Sequence, residues 1–291
     1  MSARRYALTA VLLWSTVATA FKLSLRYVDP IDLVLAASAV STLIFFLARP
    51  PNGGAPASEV RRSAALGLLN PCLYYLLLFE AYRRLPAQEA LCLNYTWPLA
   101  LAVLSSAMSR RSLRKEILIG LLMSLAGVVV VATRGQLATL HFEDPVGVAA
   151  ALASAVVWAI YWRANAADPL DPVQRLRWNF VFGTGWIAAA AALTGSLDGA
   201  WPLPAVAGAV YVGAFEMGIT FLLWLKALRT AEDAARISNL AYLAPVLSMV
   251  WIAAVLGEPP QIWTLAGLAL ILGGIACTEG SARRSSNQDP S

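Results

Sequence analysis

Asn94-Tyr95-Thr96-Trp97-Pro98 breaks a long apolar run with an amide, a phenol, a hydroxyl and a proline. Ala241-Tyr242-Leu243-Ala244-Pro245 repeats its Tyr-x-x-Pro spacing in the other half of the chain. Proline has no amide hydrogen and crowds the preceding turn, so each stretch weakens a helix locally. Matched proline-interrupted apolar segments in two halves of one chain point to a membrane transporter and to its binding region.

The 291 residues are 59% hydrophobic and only 13% charged, with a mean hydropathy of +0.64. A soluble domain carries about 25% charged residues. An all-α integral membrane protein follows, because a helix needs about 20 apolar residues to cross a bilayer. Ten such segments can be marked: Tyr6 to Leu25, Ile31 to Ala48, Ser63 to Tyr82, Leu91 to Met108, Ile117 to Thr133, Val146 to Trp162, Trp178 to Leu193, Ala205 to Leu225, Ile237 to Leu256, and Ile262 to Thr278. Between them lie short polar stretches such as Pro50 to Gly54, and Ser285 to Ser291 forms a polar tail. No separate soluble domain fits in what is left.

Basic residues collect on the cytoplasmic side of such proteins. With the N-terminus inside, ten helices place 17 of the 22 Lys and Arg residues inside and leave Lys22, Arg26, Arg83, Arg84 and Arg134 outside. Nine or eleven helices scramble this alternation. Both termini are therefore expected in the cytoplasm, and the net charge of +5 reflects sidedness rather than a nucleic-acid partner.

A shift of 147 residues places Tyr95 on Tyr242, Pro98 on Pro245, Gly120 on Gly267 and Gly127 on Gly274. A shift of 144 places Trp14 on Trp158. Each half then holds five helices, and an odd number inverts the second half relative to the first. The expectation is two inverted five-helix repeats, residues 1–134 and 145–280, followed by a cytoplasmic tail at 281–291. Arg4 and Arg5 before an apolar run, with Ala18-Thr19-Ala20 after it, imitate a signal peptide. The match of Trp14 to Trp158 instead keeps the first helix in the fold.

Glu216 is the charge expected deepest in the membrane, in Gly213-Ala214-Phe215-Glu216-Met217-Gly218. A charge there costs about 2.5–3.5 kcal/mol on insertion scales and should face a cavity or a partner. It either binds an ammonium or proton, or pairs with a neighbouring helix. Gly213 and Thr220 share its side on a regular helix. Lys22 either meets a carboxylate or snorkels to the interface. Glu80 stands beside Arg83 and Arg84, where an interfacial ion pair is the plain expectation. Asp32, Glu89 and Glu258 lie at helix ends, which suits acidic residues at N-termini.

Tyr75, Phe79 and Tyr82 line one face of the third helix, and Trp158, Tyr161 and Trp162 cluster on the sixth. Trp14 belongs to the repeat-related first helix, while Tyr95, Trp97 and Tyr242 flank the two prolines. Such rings stack a flat solute or hold an ammonium; otherwise they form an interfacial belt, which suits Tyr82 and Trp201. Asn94 and Asn70 are deep amides that need partners, from a substrate or another helix. Gly120, Gly127, Gly267 and Gly274 suit close helix packing. Cys72, Cys92 and Cys277 lie in apolar runs without disulfide or metal spacing, and read as structural.

The single histidine, His141, falls in an expected outer loop. With no phosphate-binding glycine loop, no H-E-x-x-H and no Ser/His/Asp set, no metal, no cofactor and no enzyme chemistry are expected. A membrane-embedded enzyme acting on lipid needs a nucleophile, metal site or acid–base pair near the interface, and the absence of a histidine in the apolar segments argues against it. A channel stays open as a reading that saturable flux excludes.

Leu13-Trp14-Ser15-Thr16, Trp158-Ala159-Ile160-Tyr161 and Ala244-Pro245-Val246-Leu247-Ser248 resemble the EamA-type branch of the drug/metabolite transporter superfamily over nearly the whole chain. Asn94-Tyr95-Thr96-Trp97-Pro98 is similar to YddG-type aromatic amino acid exporters of the bacterial inner membrane. The resemblance implies export of amino acids, aromatic ones included, through a central cavity between the five-helix halves. It carries over to Trp14, Asn94, Tyr95, Trp97, Trp158, Tyr161 and Tyr242, with Pro98 and Pro245 as hinges. Tyr75, Phe79, Trp162, Lys22 and Glu216 join the expected substrate site on physical grounds alone. The expected partners are a small-molecule substrate and the lipid bilayer, with the chain acting as a monomer. Proton-coupled export of other metabolites or drug-like cations on the same fold is the alternative.

Overall fold

The structure, a computed structural model, describes residues 2–48, 55–108, 115–138, 143–165, 168–195, 201–231, 237 and 239–286. The Pro50 to Gly54 loop, His141 and the end of the tail lie outside the described residues. The helices are α1 (Ala3–Ser24), α2 (Pro30–Leu47), α3 (Ala57–Arg84), α4 (Ala87–Asn94), α5 (Trp97–Met108) and α6 (Lys115–Ala132) in the first half. The second half holds α7 (Pro145–Asn165), α8 (Pro172–Thr194), α9 (Leu203–Arg229), α10 (Leu243–Trp251) and α11 (Ile262–Ser286). No strand occurs among the described residues.

The packing is that of a protein dissolved in lipid. Leu12, Leu43, Leu47, Leu122, Leu193, Leu203, Val250 and Ile262 are exposed, whereas Ser15, Ser38, Ser41, Asn70, Ser154, Asn179 and Thr220 are buried. Lipid cannot hydrogen-bond polar groups, so these turn inward, where most of them find partners. α1, α2, α3, α7 and α9 are each long and apolar enough to cross a membrane.

The prolines sit where helices restart. α4 ends at Asn94, Tyr95 caps it through a bond to the Leu91 carbonyl, and α5 begins at Trp97. Pro98 thus occupies the first turn of α5, where no amide donor is needed. In the second half a 3₁₀ turn at Asn239–Tyr242 precedes α10, and Pro245 occupies its first turn. Both breaks fall on the tyrosine rather than on the proline itself.

Three further irregularities were not expected. Wide turns of i→i+5 type interrupt α3 at Leu68–Leu73 and α9 at Gly213–Gly218, and a third ends α10 at Ile252–Leu256. The first holds Asn70 in an extended conformation (φ −145°, ψ 121°) and a cis bond to Pro71. The turns in α3 and α9 begin 145 residues apart, close to the repeat shift.

Small residues let helices meet backbone to backbone. A side chain on Gly127 would lie 2.6 Å from the Gly267 carbonyl, and one on Gly274 would collide with the Gly120 carbonyl. Between these contacts Ser124 Oγ donates to the Ile271 carbonyl at 3.1 Å. The α6–α11 seam therefore joins the glycines that the 147-residue shift had matched.

Candidate functional site

The wide turn in α9 shapes the centre of the bundle. Gly218 has φ −96° and ψ −90°, and a Cβ there would sit 2.8 Å from the Gly213 carbonyl. Thr220 Oγ1 donates to the Phe215 carbonyl across the turn. On a regular helix Glu216 and Phe221, five residues apart, would point about 140° apart. The extra residue of the wide turn brings them toward one side. Gly213 instead faces α2, where Ser41 Oγ donates to its carbonyl at 2.8 Å. The shared side expected for Gly213, Glu216 and Thr220 does not form.

Glu216 is buried, and its Oε1 accepts from the Tyr75 hydroxyl at 3.1 Å. Its Oε2 is buried without a hydrogen-bond partner. In the wide turn of α3, both amide atoms of Asn70 are buried and unpartnered. Asn70 faces Tyr161 without reaching bonding geometry. Tyr161 accepts from Asn179 Nδ2 at 3.0 Å, and Asn179 Oδ1 is left without a partner.

A series of rings links these groups. Trp158 stacks on Tyr74 with centroids 4.4 Å apart and 27° between planes. It also stacks on Tyr161 at 5.8 Å and meets Trp162 edge-on at 5.7 Å. Phe221 lies 6.0 Å from Trp158 and 6.3 Å from Trp14, and Trp14 lies 5.1 Å from Trp224. On the other side Tyr75 meets Phe79 at 5.6 Å, and Phe79 meets Phe21 at 4.7 Å.

At one end of this series lies a cavity of about 160 Å³. Trp14, Tyr161, Trp162, Phe221 and Trp224 form its aromatic wall, and Asn165, Asp168 and Arg175 its polar wall. The polar wall comes from the α7–α8 connection and the start of α8. There Asp171 caps α8 by accepting from Val173 N at 2.9 Å, with Pro172 in the first turn.

The site residues expected from sequence separate into groups. Trp14, Tyr161 and Trp162 line the cavity; Trp158, Tyr75 and Phe79 continue the ring series; Glu216 ends on Tyr75. Asn94 donates to Ser154 Oγ at 2.9 Å and ties α4 to α7. Tyr95 packs between two apolar clusters, and Trp97 and Tyr242 are half-buried against the larger one. Lys22 stands apart: Nζ donates to the Tyr82 and Leu85 carbonyls at 2.8 and 2.5 Å and caps α3. Glu80 takes up Arg83 and Arg84, at 2.7 and 2.5 Å. Glu89 pairs with Arg134 at 2.7 Å, and Glu258 Oε2 accepts from Ala87 N at 2.9 Å. Tyr74, Phe221, Trp224, Asp168, Arg175 and Asn179 escaped the sequence reading. Their signal was present only as a second aromatic pair, Phe221 and Trp224, at helical spacing.

Comparisons with known proteins agree with this architecture. The EamA-like transporter family matches residues 2–133 and 145–279. A curated relative named aromatic amino acid exporter YddG, from Ancylobacter novellus, is 29% identical over 97% of this chain and 99% of its own length. The uncharacterized transporter YvbV of Bacillus subtilis is 26% identical over 72% of this chain and 68% of its own. A solved crystal structure 27% identical to this chain superposes with a TM-score of 0.67, covering 95% of this chain and 98% of that one.

Proposed function

Because this chain belongs to the EamA-like transporter family, we propose that it exports aromatic and related neutral amino acids across the bacterial inner membrane. The observation that carries this reading is the cavity with Trp14, Trp162, Phe221 and Trp224 in its wall, continued inward by Trp158 and Tyr74. Rings held at 4.4 to 6.3 Å from one another offer a flat solute stacking surfaces in succession, each pair contributing about 0.5–1.5 kcal/mol. The exporter named among its relatives supports the substrate class.

The mechanism proposed is alternating access by two inverted five-helix repeats, with both termini cytoplasmic and the chain acting as a monomer. The α6–α11 seam supports the repeat. The contact of Gly127 with Gly267 becomes that of Gly274 with Gly120 when each residue is exchanged for its partner 147 positions away. The breaks at Tyr95 and before α10 are matched in the same way, and Pro98 and Pro245 mark the segments that bend. A second reading, efflux of a cation against protons, is favoured by the unpartnered Glu216 Oε2.

Purified full-length protein in liposomes, offered labelled amino acids, cations and nucleosides with and without a pH gradient, tests both. Saturable flux of aromatic amino acids is expected. Flux of none of the amino acids overturns the main reading, and cation flux that follows the pH gradient establishes the second.

A further inference from the structure

The cavity is the size of one ring. Its volume of about 160 Å³ is close to that of an apolar cavity of about 150 Å³, which takes up a single benzene molecule. It is partly open rather than enclosed, so a solute can place one ring inside and leave its remaining groups at the mouth. Indole, with a second ring fused to the first, needs more room.

The wall does not give that room freely. Trp14 is held by Phe221 at 6.3 Å and by Trp224 at 5.1 Å. Trp162 meets Trp158 edge-on at 5.7 Å and Tyr161 edge-on at 6.3 Å. Tyr161 is fixed by the bond from Asn179 Nδ2 at 3.0 Å and by its stack on Trp158 at 5.8 Å. Phe221 lines the cavity, whereas Trp158, 6.0 Å from it, does not. Phe221 also meets Phe180 edge-on at 6.3 Å. Each of these wall rings leans on another ring, and a packed interior accepts extra volume only at a cost.

We propose that the cavity is a single-ring pocket, which takes the side chain of phenylalanine among Trp14, Trp162 and Phe221 and disfavours the indole of tryptophan. Trp162 and Phe221 set the limit. Replacing the Trp162 indole by a phenyl ring trims from the wall about what tryptophan adds to phenylalanine. Removing the Phe221 ring joins the cavity to the space beside Trp158. This assignment rests on the export reading above and narrows its aromatic substrates to amino acids with one six-membered ring.

Binding of labelled L-phenylalanine and of labelled L-tryptophan to the full chain in detergent, by scintillation proximity, tests the assignment. The native protein is expected to bind L-phenylalanine about ten-fold or more tightly than L-tryptophan, because the larger ring overpacks the wall. In Trp162→Phe and in Phe221→Ala that ratio should fall to parity or reverse. Trp162→Phe is the variant that keeps the fold. Its indole N–H is buried without a hydrogen-bond partner among the described residues, so the change leaves nothing newly unpaired. If Phe221→Ala does not fold, Trp162→Phe decides alone. L-tryptophan bound by the native protein as tightly as L-phenylalanine, or more tightly, overturns the single-ring pocket and leaves aromatic export standing. A native preference that persists undiminished in every variant that folds overturns it as well. Failure of the native protein to bind either amino acid overturns the export reading and the pocket with it.

Discussion

Gly127→Ala probes the α6–α11 seam with a magnitude that follows from the coordinates. Its new methyl group would lie 2.6 Å from the Gly267 carbonyl oxygen, 2.9 Å from Ile271 Cγ1 and 3.1 Å from Ile271 N. Two of the three atoms are backbone and cannot rotate away, so the helices must separate. Overpacking of this kind costs about 1–3 kcal/mol. Alanine also favours a helix over glycine by about 1 kcal/mol, which partly masks the loss. Gly185→Ala supplies the correction, since a methyl there meets nothing within 4 Å. Relative to Gly185→Ala, Gly127→Ala should be less stable by the full overpacking cost. Gly274→Ala strikes the Gly120 carbonyl and Ser124 and should lose a similar amount. Gly273→Ala, whose methyl meets only the mobile Met123 Cε at 3.3 Å, should match Gly185→Ala. Equilibrium unfolding in mixed detergent, followed by circular dichroism, reads all four. If Gly127→Ala proves as stable as Gly185→Ala, the seam is not closed as described. A large cost at Gly127 with none at Gly274 refutes the symmetry argued from it.

Trp158→Ala removes the ring proposed to stack on the solute; one lost pair at about 0.5–1.5 kcal/mol should raise the KM for a transported aromatic amino acid about two- to ten-fold. Trp158→Phe should keep most of the affinity, and equal KM values for both variants, with folding checked by size exclusion, count against the ring series as the path. Tyr75→Phe combined with Glu216→Gln should show a coupling of about 1–3 kcal/mol in a double-mutant cycle of stability, because the hydroxyl is buried against the carboxyl. Additive effects would mean that the two groups do not bond. Asp144, just before α7, accepts from Gly147 N at 2.7 Å, and that bond, aided by Arg84, holds its carboxyl below the usual range. A lowered value adds stability that is present above the ordinary carboxylate pKa of about 3.9 and lost as pH falls through the lowered one. Asp144→Ala should therefore flatten the acid end of a melting-temperature profile while leaving the neutral end lower than native.

Apolar run length placed α1, α2, α3, α7 and α9, each long and apolar enough to cross a membrane, because bilayer thickness sets that length. Lys22 was legible as basic and outer, but its bonds to the Tyr82 and Leu85 carbonyls depend on where α3 ends, which periodicity does not show. The expected bends at Pro98 and Pro245 fall one turn early because proline serves best as the first residues of a new helix. Tyr74 and Phe221 were missed for one reason. Face assignments assume 3.6 residues per turn, and a wide turn just before each of them shifts the count. Asp168 and Arg175 looked like ordinary charges in a polar connection. Only the folded chain brings Glu59, Ser63 and Trp14 round them.

The wide turns inside α3 and α9 call for a common explanation. Irregular backbone is tolerated at membrane depth only where protein or water meets its polar groups. Leu68–Leu73 carries Asn70 with both amide atoms unpartnered, and Gly213–Gly218 carries Glu216 with one oxygen unpartnered. A shift of 145 residues puts Asn70 next to Glu216 in sequence register. In each proposed repeat, therefore, a helix broken by a wide turn carries in that turn a buried polar side chain with an unpartnered atom. Lining structural glycine contacts with such groups would cost stability without return, since apolar residues would pack as well. Under the proposed export mechanism, a substrate or proton passing between the halves would supply the return. Asn70→Leu should then leave the protein at least as stable as native while slowing flux, and a variant that unfolds, or one that transports at the native rate, removes Asn70 from the path.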